Sequence, residues 1–236
     1  MRVAGIVTRE TLDVVRSLVK PGVTTLDLDR AAEAHIRSRN GKPAFKGYHG
    51  YPGSICASVN NEVVHGIPSA KRVLREGDIV SVDTGAIVDG FVGDSATTIA
   101  VGKISDETAR LLKVTEASLY AAIEVVRPGA TLGDVGWAVQ KVAEEAGFGV
   151  VRDFVGHGIG RQMHEDPQVP NFGQKGRGMK LREGMVIAIE PMVNAGGWEV
   201  QVLKDGWTTI TLDGSMSAHF EHTVAVTATG SRILTE

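Results

Sequence analysis

A chain of 236 residues with 42% hydrophobic and 22% charged positions has the make-up of a soluble globular protein, one large domain or two small ones. Its net charge of −3 and lack of any long basic run argue against nucleic acid or an anionic membrane as the main partner. No apolar stretch approaches the roughly 20 residues needed to span a bilayer, and the single cysteine, Cys56, excludes an intramolecular disulfide and fits a reducing, cytoplasmic setting.

The start, MRVAGIVTRETLD, meets acids too soon for a signal peptide. Leu12, Val15, Leu18 and Val19 lie on one stripe and predict a helix over 8–20, stopped by Pro21-Gly22. Thr24 precedes a second helix over 26–39, with Asp27 in its first turn and Asn40-Gly41 at its end. A loop rich in Gly, Pro and aromatics follows over 42–53, then a short strand over 55–59 and the segment NNEVVHGIPSA, which carries His65. Residues 79–87 and 91–101 read as two strands joined by Asp89-Gly90, a strong hairpin signal. Ser105 caps a helix running to about 126, and Thr131 opens another over 132–146. The remainder reads as strands and turns, with a further Asp-Gly hairpin at 205–206.

The predicted hairpin over 79–101 places one carboxylate on each strand. Side chains alternate faces along a strand, and a two-residue loop makes paired positions sum to an odd number. Asp83 is odd and Asp94 even, so both fall on one face, among apolar neighbours. Two carboxylates in an apolar wall repel unless a cation sits between them or a proton is shared.

The chain also repeats itself. Pro21 recurs at Pro128, Gly77 at Gly184 and Asp83 at Glu190, all at one constant offset. GDSATTIAVG resembles FEHTVAVTATG, which sets Asp94 against Glu221 after an insertion in the second half. The reading is an α+β protein, a single domain over 1–236 built from two pseudo-symmetric helix–helix–hairpin halves at about 8–102 and 105–230. Four acids then face one another across the centre.

Such a cluster strongly disfavours folding without counterions. The polar groups in apolar or Gly-rich settings are Asp83, Asp94, Glu190 and Glu221, with His65, His157 and His164. Carboxylates with an imidazole suit two divalent ions of the Mn, Fe or Co type; zinc is compatible, and Mg or Ca is less favoured by a His ligand. Two ions roughly 3.5–4 Å apart can activate a water and polarise a carbonyl. Taken singly, each His is equally at home as a loop hydrogen-bonder. His35, His219 and His222 read as structural.

The order HGIP, two Asp eleven residues apart, GHGIG, IEP and EHT resembles the type I methionine aminopeptidases, over nearly the whole chain. That resemblance implies the pita-bread fold around a central antiparallel sheet and a two-metal site of Asp83, Asp94, His157, Glu190 and Glu221. It implies that Asp94 and Glu221 bridge the ions, that metal-activated water attacks the first peptide bond, and that Glu190 shuttles a proton to the leaving amine. By the same resemblance His164 stabilises the oxyanion and His65 contacts the scissile-bond nitrogen. Tyr48, Tyr51, Cys56, Met163 and Trp207 would line a methionine pocket with His49 nearby, although as residue types they serve equally well as core. The implied substrates are peptides and nascent chains with N-terminal methionine and a small second residue, met near the ribosome by a cytoplasmic monomer.

Some features depart from the family pattern. Met163 stands where an aromatic residue is common and Phe45 where a smaller one often appears, and family members usually carry a further short segment before the position of Met1. Two rival readings remain. An aminopeptidase P or prolidase would be expected to carry a large extra N-terminal domain, for which the roughly 40 residues before Lys42 are too few. A binding module that has lost catalysis, or a metal-free creatinase-like enzyme, would be expected to have lost ligands, and none is missing.

Overall fold

A computed structural model describes residues 1–236. Its longest strands are Ile79–Val88 and Phe91–Ala100. Asp89 and Gly90 join them with φ of 51° and 75°, the left-handed pair that a two-residue hairpin needs to match strand twist. Pairing runs from Val88↔Phe91 to Ile79↔Ala100, so Asp83 stands opposite Ala96 and Asp94 opposite Gly85. Opposed residues share a face, as do residues two apart on one strand. The two carboxylates are therefore diagonal neighbours on one face, as their parity requires. Ile55–Val59 and Lys42–Pro43 pair along the other edge of Ile79–Val88.

Four helices flank the sheets: α1 (Arg2–Leu18), α2 (Thr25–Ser38), α3 (Asp106–Val125) and α4 (Leu132–Glu145). The internal repeat is visible in their capping. Thr24 and Asp27 at the start of α2 form a reciprocal capping box, and so do Thr131 and Asp134 at the start of α4. An isolated bridge ties Thr24 to Val73, and its counterpart ties Thr131 to Lys180.

The second half breaks what the first keeps continuous. The counterpart of Ile79–Val88 is split into Val186–Ile189 and Met192–Asn194 at Glu190-Pro191, where proline has no N–H for the ladder. The return strand is split into Ser217–His219 and His222–Thr227 at Phe220-Glu221. The Asp-Gly turn is replaced by an insertion over 195–216. That insertion forms its own hairpin, Val200–Val202 with Thr209–Thr211, which pairs with Glu62–Val64 of the first half.

The halves are stitched along their return strands. Ser95 Oγ donates to the Glu221 carbonyl at 2.6 Å and Thr223 Oγ1 to the Asp94 carbonyl at 2.7 Å. The Glu221 amide donates to the Ala96 carbonyl at 3.0 Å. Each half has its own core. Leu12, Val15 and Leu28 of α1 and α2 pack on Ile55, Val80 and Val82. Leu111, Leu119 and Val135 of α3 and α4 pack on Ile187, Ile189 and Val224. A fully buried side chain of this size contributes about 1.5–3 kcal/mol. No helix is long and apolar enough to cross a membrane.

The first helix departs from expectation: it begins at Arg2, not at position 8. Gly5 sits inside it, where propensity alone disfavours a helix. The compensation is tertiary. A methyl group on Gly5 would collide with the Leu234 carbonyl, and one on Gly93 would collide with the backbone of Ala4 and Gly5. Thr8 Oγ1 also donates to the Gly93 carbonyl at 3.0 Å. The helix can lie this close to Leu234 only without a side chain at Gly5, and this close to the strand only without one at Gly93. Gly93→Ala is expected to lower stability by about 1–3 kcal/mol in chemical denaturation, the usual cost of overpacking against backbone; an unchanged midpoint would show that α1 can shift freely.

Candidate metal centre

The strand breaks and the hairpin face bring the acids together. Asp83 and Asp94 come from the first hairpin, Glu190 and Glu221 from the two interruptions of the second, and His157 from the short strand Gly156–Gly158. One ligand atom each from Asp94, His157 and Glu221 lie within 4.8 Å of one another, and all three residues are buried. His157 Nδ1 is 2.9 Å from the Gly158 carbonyl, an acceptor only, so Nδ1 carries the proton and Nε2 keeps its lone pair. That Nε2 faces Asp94 Oδ2 at 3.7 Å and Glu190 Oε1 at 3.5 Å, too far for good hydrogen bonds.

The carboxylates are short of partners. Asp83 Oδ1, Asp94 Oδ1 and Glu221 Oε1 are buried with no hydrogen-bond donor. Burial pushes the Asp83 carboxyl up to about 8. Burial, then the neighbouring carboxylates, pushes Asp94, Glu190 and Glu221 well above the ordinary range. Burial, with His164 nearby, lowers His157 to about 4, so its ring is neutral. No lysine or arginine lines the cavity. Four converging carboxyl groups, a neutral imidazole aimed at them and no cationic side chain form a donor set that divalent cations fit.

The acids and His157 line a cavity of about 380 Å³. Phe45, Tyr48, Tyr51, Cys56 and Trp207 line the same cavity. The Tyr51 hydroxyl lies against the Ile55 and Gly66 carbonyls, and its ring meets Trp207 edge-on with centroids 5.0 Å apart. Trp207 is delivered by the inserted hairpin, whose turn is fixed by Asp205 accepting from the Trp207 and Thr208 amides.

His65 and His164 also line this cavity, as does His49 beside Tyr48. His164 Nδ1 is 2.7 Å from the Tyr48 hydroxyl, and its ring lies 4.2 Å from that of His157. His65 has φ 60°, a strained conformation for a non-glycine residue, and its ring meets Phe154 and Trp207 edge-on.

Two placements differ from the sequence reading. Met163 is buried in the cluster with Phe45, Tyr51 and Cys56 and is not among the lining residues. His219, read as a structural residue, has its Nε2 3.8 Å from Glu190 Oε2. Its place two residues before Glu221 was the signal that could have marked it.

Cys56 is 4% exposed, and burial followed by the Asp83 charge raises its thiol pKa, the reverse of what a nucleophile needs. Cys56→Ser is therefore expected to keep peptide hydrolysis within about tenfold of the parent; complete loss in a folded variant would point to a covalent role.

A paired-carboxylate centre between two pseudo-symmetric halves is a metallopeptidase arrangement, and the chain belongs to metallopeptidase family M24, whose model matches residues 1–228. It is a hydrolase of that class with the pita-bread fold. Its similarities are more particular. The methionine aminopeptidase of Clostridium acetobutylicum is 54% identical over 235 residues, which span 100% of this chain and 94% of that protein. Methionine aminopeptidase 1 of Bacillus subtilis is 51% identical over the same share of each. The crystal structure of methionine aminopeptidase from Thermotoga maritima matches with a TM-score of 0.99 at 49% identity, covering 100% of this chain and 95% of its own. The prolidase of Pyrococcus furiosus, at 22% identity and a TM-score of 0.80, shares the fold alone, and this chain covers 62% of it.

Proposed function

We propose that this chain removes the N-terminal methionine from peptides and nascent proteins, preferring a small second residue. The observation that carries the reading is that residues with unpartnered buried carboxylate oxygens line the same cavity as a group of aromatic side chains. Asp83, Asp94, His157, Glu190 and Glu221 would hold two divalent ions, Mn, Fe(II) or Co in type. Bound there, the ions supply Lewis-acid polarisation of the scissile carbonyl and activation of a water.

The chain's own groups do the rest. The carboxylate-rich side attracts the free α-amine of the substrate, which restricts cleavage to the N-terminus. Glu190 accepts the proton of the attacking water and delivers it to the leaving amine. His164, held by Tyr48, donates to the oxygen on which negative charge develops. His65 positions the scissile-bond nitrogen. Tyr51, Trp207 and Phe45 receive the methionine side chain, whose sulfur packs well against aromatic rings. The chain acts as one catalytic domain over 1–236, as a monomer in the cytoplasm, on chains emerging from the ribosome.

The test is hydrolysis of Met-Ala-Ser and its Leu, Pro and Gly analogues by metal-stripped protein, alone and with Mn(II), Fe(II) or Co(II) restored under anaerobic conditions. Metal-dependent release of methionine and little else is the expected result. Cleavage before proline would place the chain with the prolidases. No turnover by folded protein with any metal would reduce it to a binding module.

A further inference from the structure

The Glu190 carboxylate lies between two imidazoles. Its Oε1 faces His157 Nε2 at 3.5 Å, and its Oε2 faces His219 Nε2 at 3.8 Å. His157 belongs to the metal centre, whereas His219 does not line the cavity at all. The His219 residue is 1% exposed, and its Nε2 is buried without a hydrogen-bond partner. An unmet buried polar group of this kind is costly to bury.

The position of the His219 ring is set from outside the site. Its amide donates to Thr98 Oγ1 at 2.9 Å, and the same hydroxyl donates back to the His219 carbonyl at 2.8 Å. Thr98 Oγ1 in turn lies 2.9 Å from Ser81 Oγ, on the paired strand of the first hairpin. The Glu190 backbone is fixed as well: Asn171 Nδ2 donates to its carbonyl at 3.0 Å, and Pro191 follows it. Two anchored backbones thus bring His219 Nε2 to 3.8 Å from Glu190 Oε2, longer than a hydrogen bond, with no other partner for that nitrogen.

We propose that His219 is a positioning residue for Glu190: its Nε2–H holds Oε2, so that Oε1 stays turned toward His157 and the other acids. The two oxygens of Glu190 then have separate tasks. Without the donor, the carboxylate can rotate and lose its direction, which weakens both its hold on a cation and its aim as a proton carrier. The catalytic part of this inference rests on the function proposed above; the metal-binding part does not.

The experiment compares His219→Gln with His219→Met, which are nearly equal in shape but differ in the amide donor. His219→Leu is a second donor-free variant should His219→Met fail to fold. Mn(II) affinity of metal-stripped protein is measured by calorimetry, and kcat and KM for Met-Ala-Ser are measured on the metal-loaded enzymes beside the parent. The donor-free variant is expected to lose roughly 10–100-fold in Mn(II) affinity and in kcat, the usual effect of removing a group that orients a metal ligand. Its KM is expected to change by less than about threefold, and His219→Gln to restore both losses to within about threefold. Gln and the donor-free variant behaving alike, whether both intact or both impaired, would overturn the proposal, since only shape would then matter. A parent enzyme that binds Mn(II) but releases no methionine would sink the proposed function and leave the calorimetric comparison standing.

Discussion

Asp94→Asn combined with Glu221→Gln is expected to abolish metal-dependent release of methionine, lowering kcat/KM by at least about 10⁴, equivalent to about 5.5 kcal/mol of transition-state stabilisation. The reason lies in where these two residues sit. Both are almost wholly buried, each has an oxygen without a donor, and each offers a ligand atom to the cluster that includes His157. The backbones that carry them are hydrogen-bonded to each other's strands through Ser95, Thr223 and Ala96. The amides keep that scaffold and remove the charge. The double variant should therefore fold, bind little Mn(II) in calorimetry, and melt no lower than the metal-stripped parent, because two mutually repelling carboxyl groups are gone. Retention of more than about a hundredth of the parent activity would mean that the reaction does not depend on this centre.

The second large effect is on stability, and its sign changes with pH. Burial disfavours the charge of Asp83 and pushes its carboxyl up to about 8 in the folded chain, far above its ordinary 3.8; Asp94, Glu190 and Glu221 shift the same way. For a carboxyl raised on folding, the stabilising contribution is complete below the unfolded value and is lost as pH rises through the folded one. The buried histidines act oppositely. His65 and His157 fall to about 4 from 6.5, so their contribution is complete above 6.5 and is lost as pH falls toward 4. The two sets oppose each other between about 4 and 6.5. Between 6.5 and 8 the carboxyl groups act without that opposition.

Metal-stripped protein is accordingly expected to lose melting temperature from pH 6.5 to 8. Saturating Mn(II), which under the proposed function would bind the deprotonated site, should flatten that decline. At a hundredfold excess over Kd the metal contributes about 2.7 kcal/mol, and the gain should be larger at pH 8 than at pH 6.5. Melting curves at both pH values, with chelator and with Mn(II), decide the matter. A stripped protein that gains stability over this interval, or a metal effect equal at both ends, would show that the carboxylates find other partners.

The parts of this molecule legible in the amino-acid order are those whose cause is local. Asp89-Gly90 dictates a two-residue turn because both positions adopt positive φ at little cost, and the turn then fixes the register. From the register alone Asp83 and Asp94 share a face. Thr24 with Asp27, and Thr131 with Asp134, start their helices through contacts three residues apart. The duplication brought Glu190 into view through one constant offset, and Glu221 through the likeness of GDSATTIAVG to FEHTVAVTATG.

What the order of residues left open depends on groups far apart in the chain. Gly5 is a poor helix residue by propensity, and only the fold shows that the Leu234 carbonyl occupies the space a side chain there would need. Met163 could line the pocket or support it, and only packing places it in the buried cluster with Tyr51 and Cys56, off the cavity wall. His219 lies in a strand and Glu190 in the break between two others, and Thr98 and Asn171 anchor the two backbones. Local propensities, turn chemistry and periodicity thus determined the elements and the face that carries the acids. The distances among those acids, the direction of each imidazole and the shape of the pocket were decided by tertiary packing, because each depends on side chains whose positions no neighbour in sequence constrains.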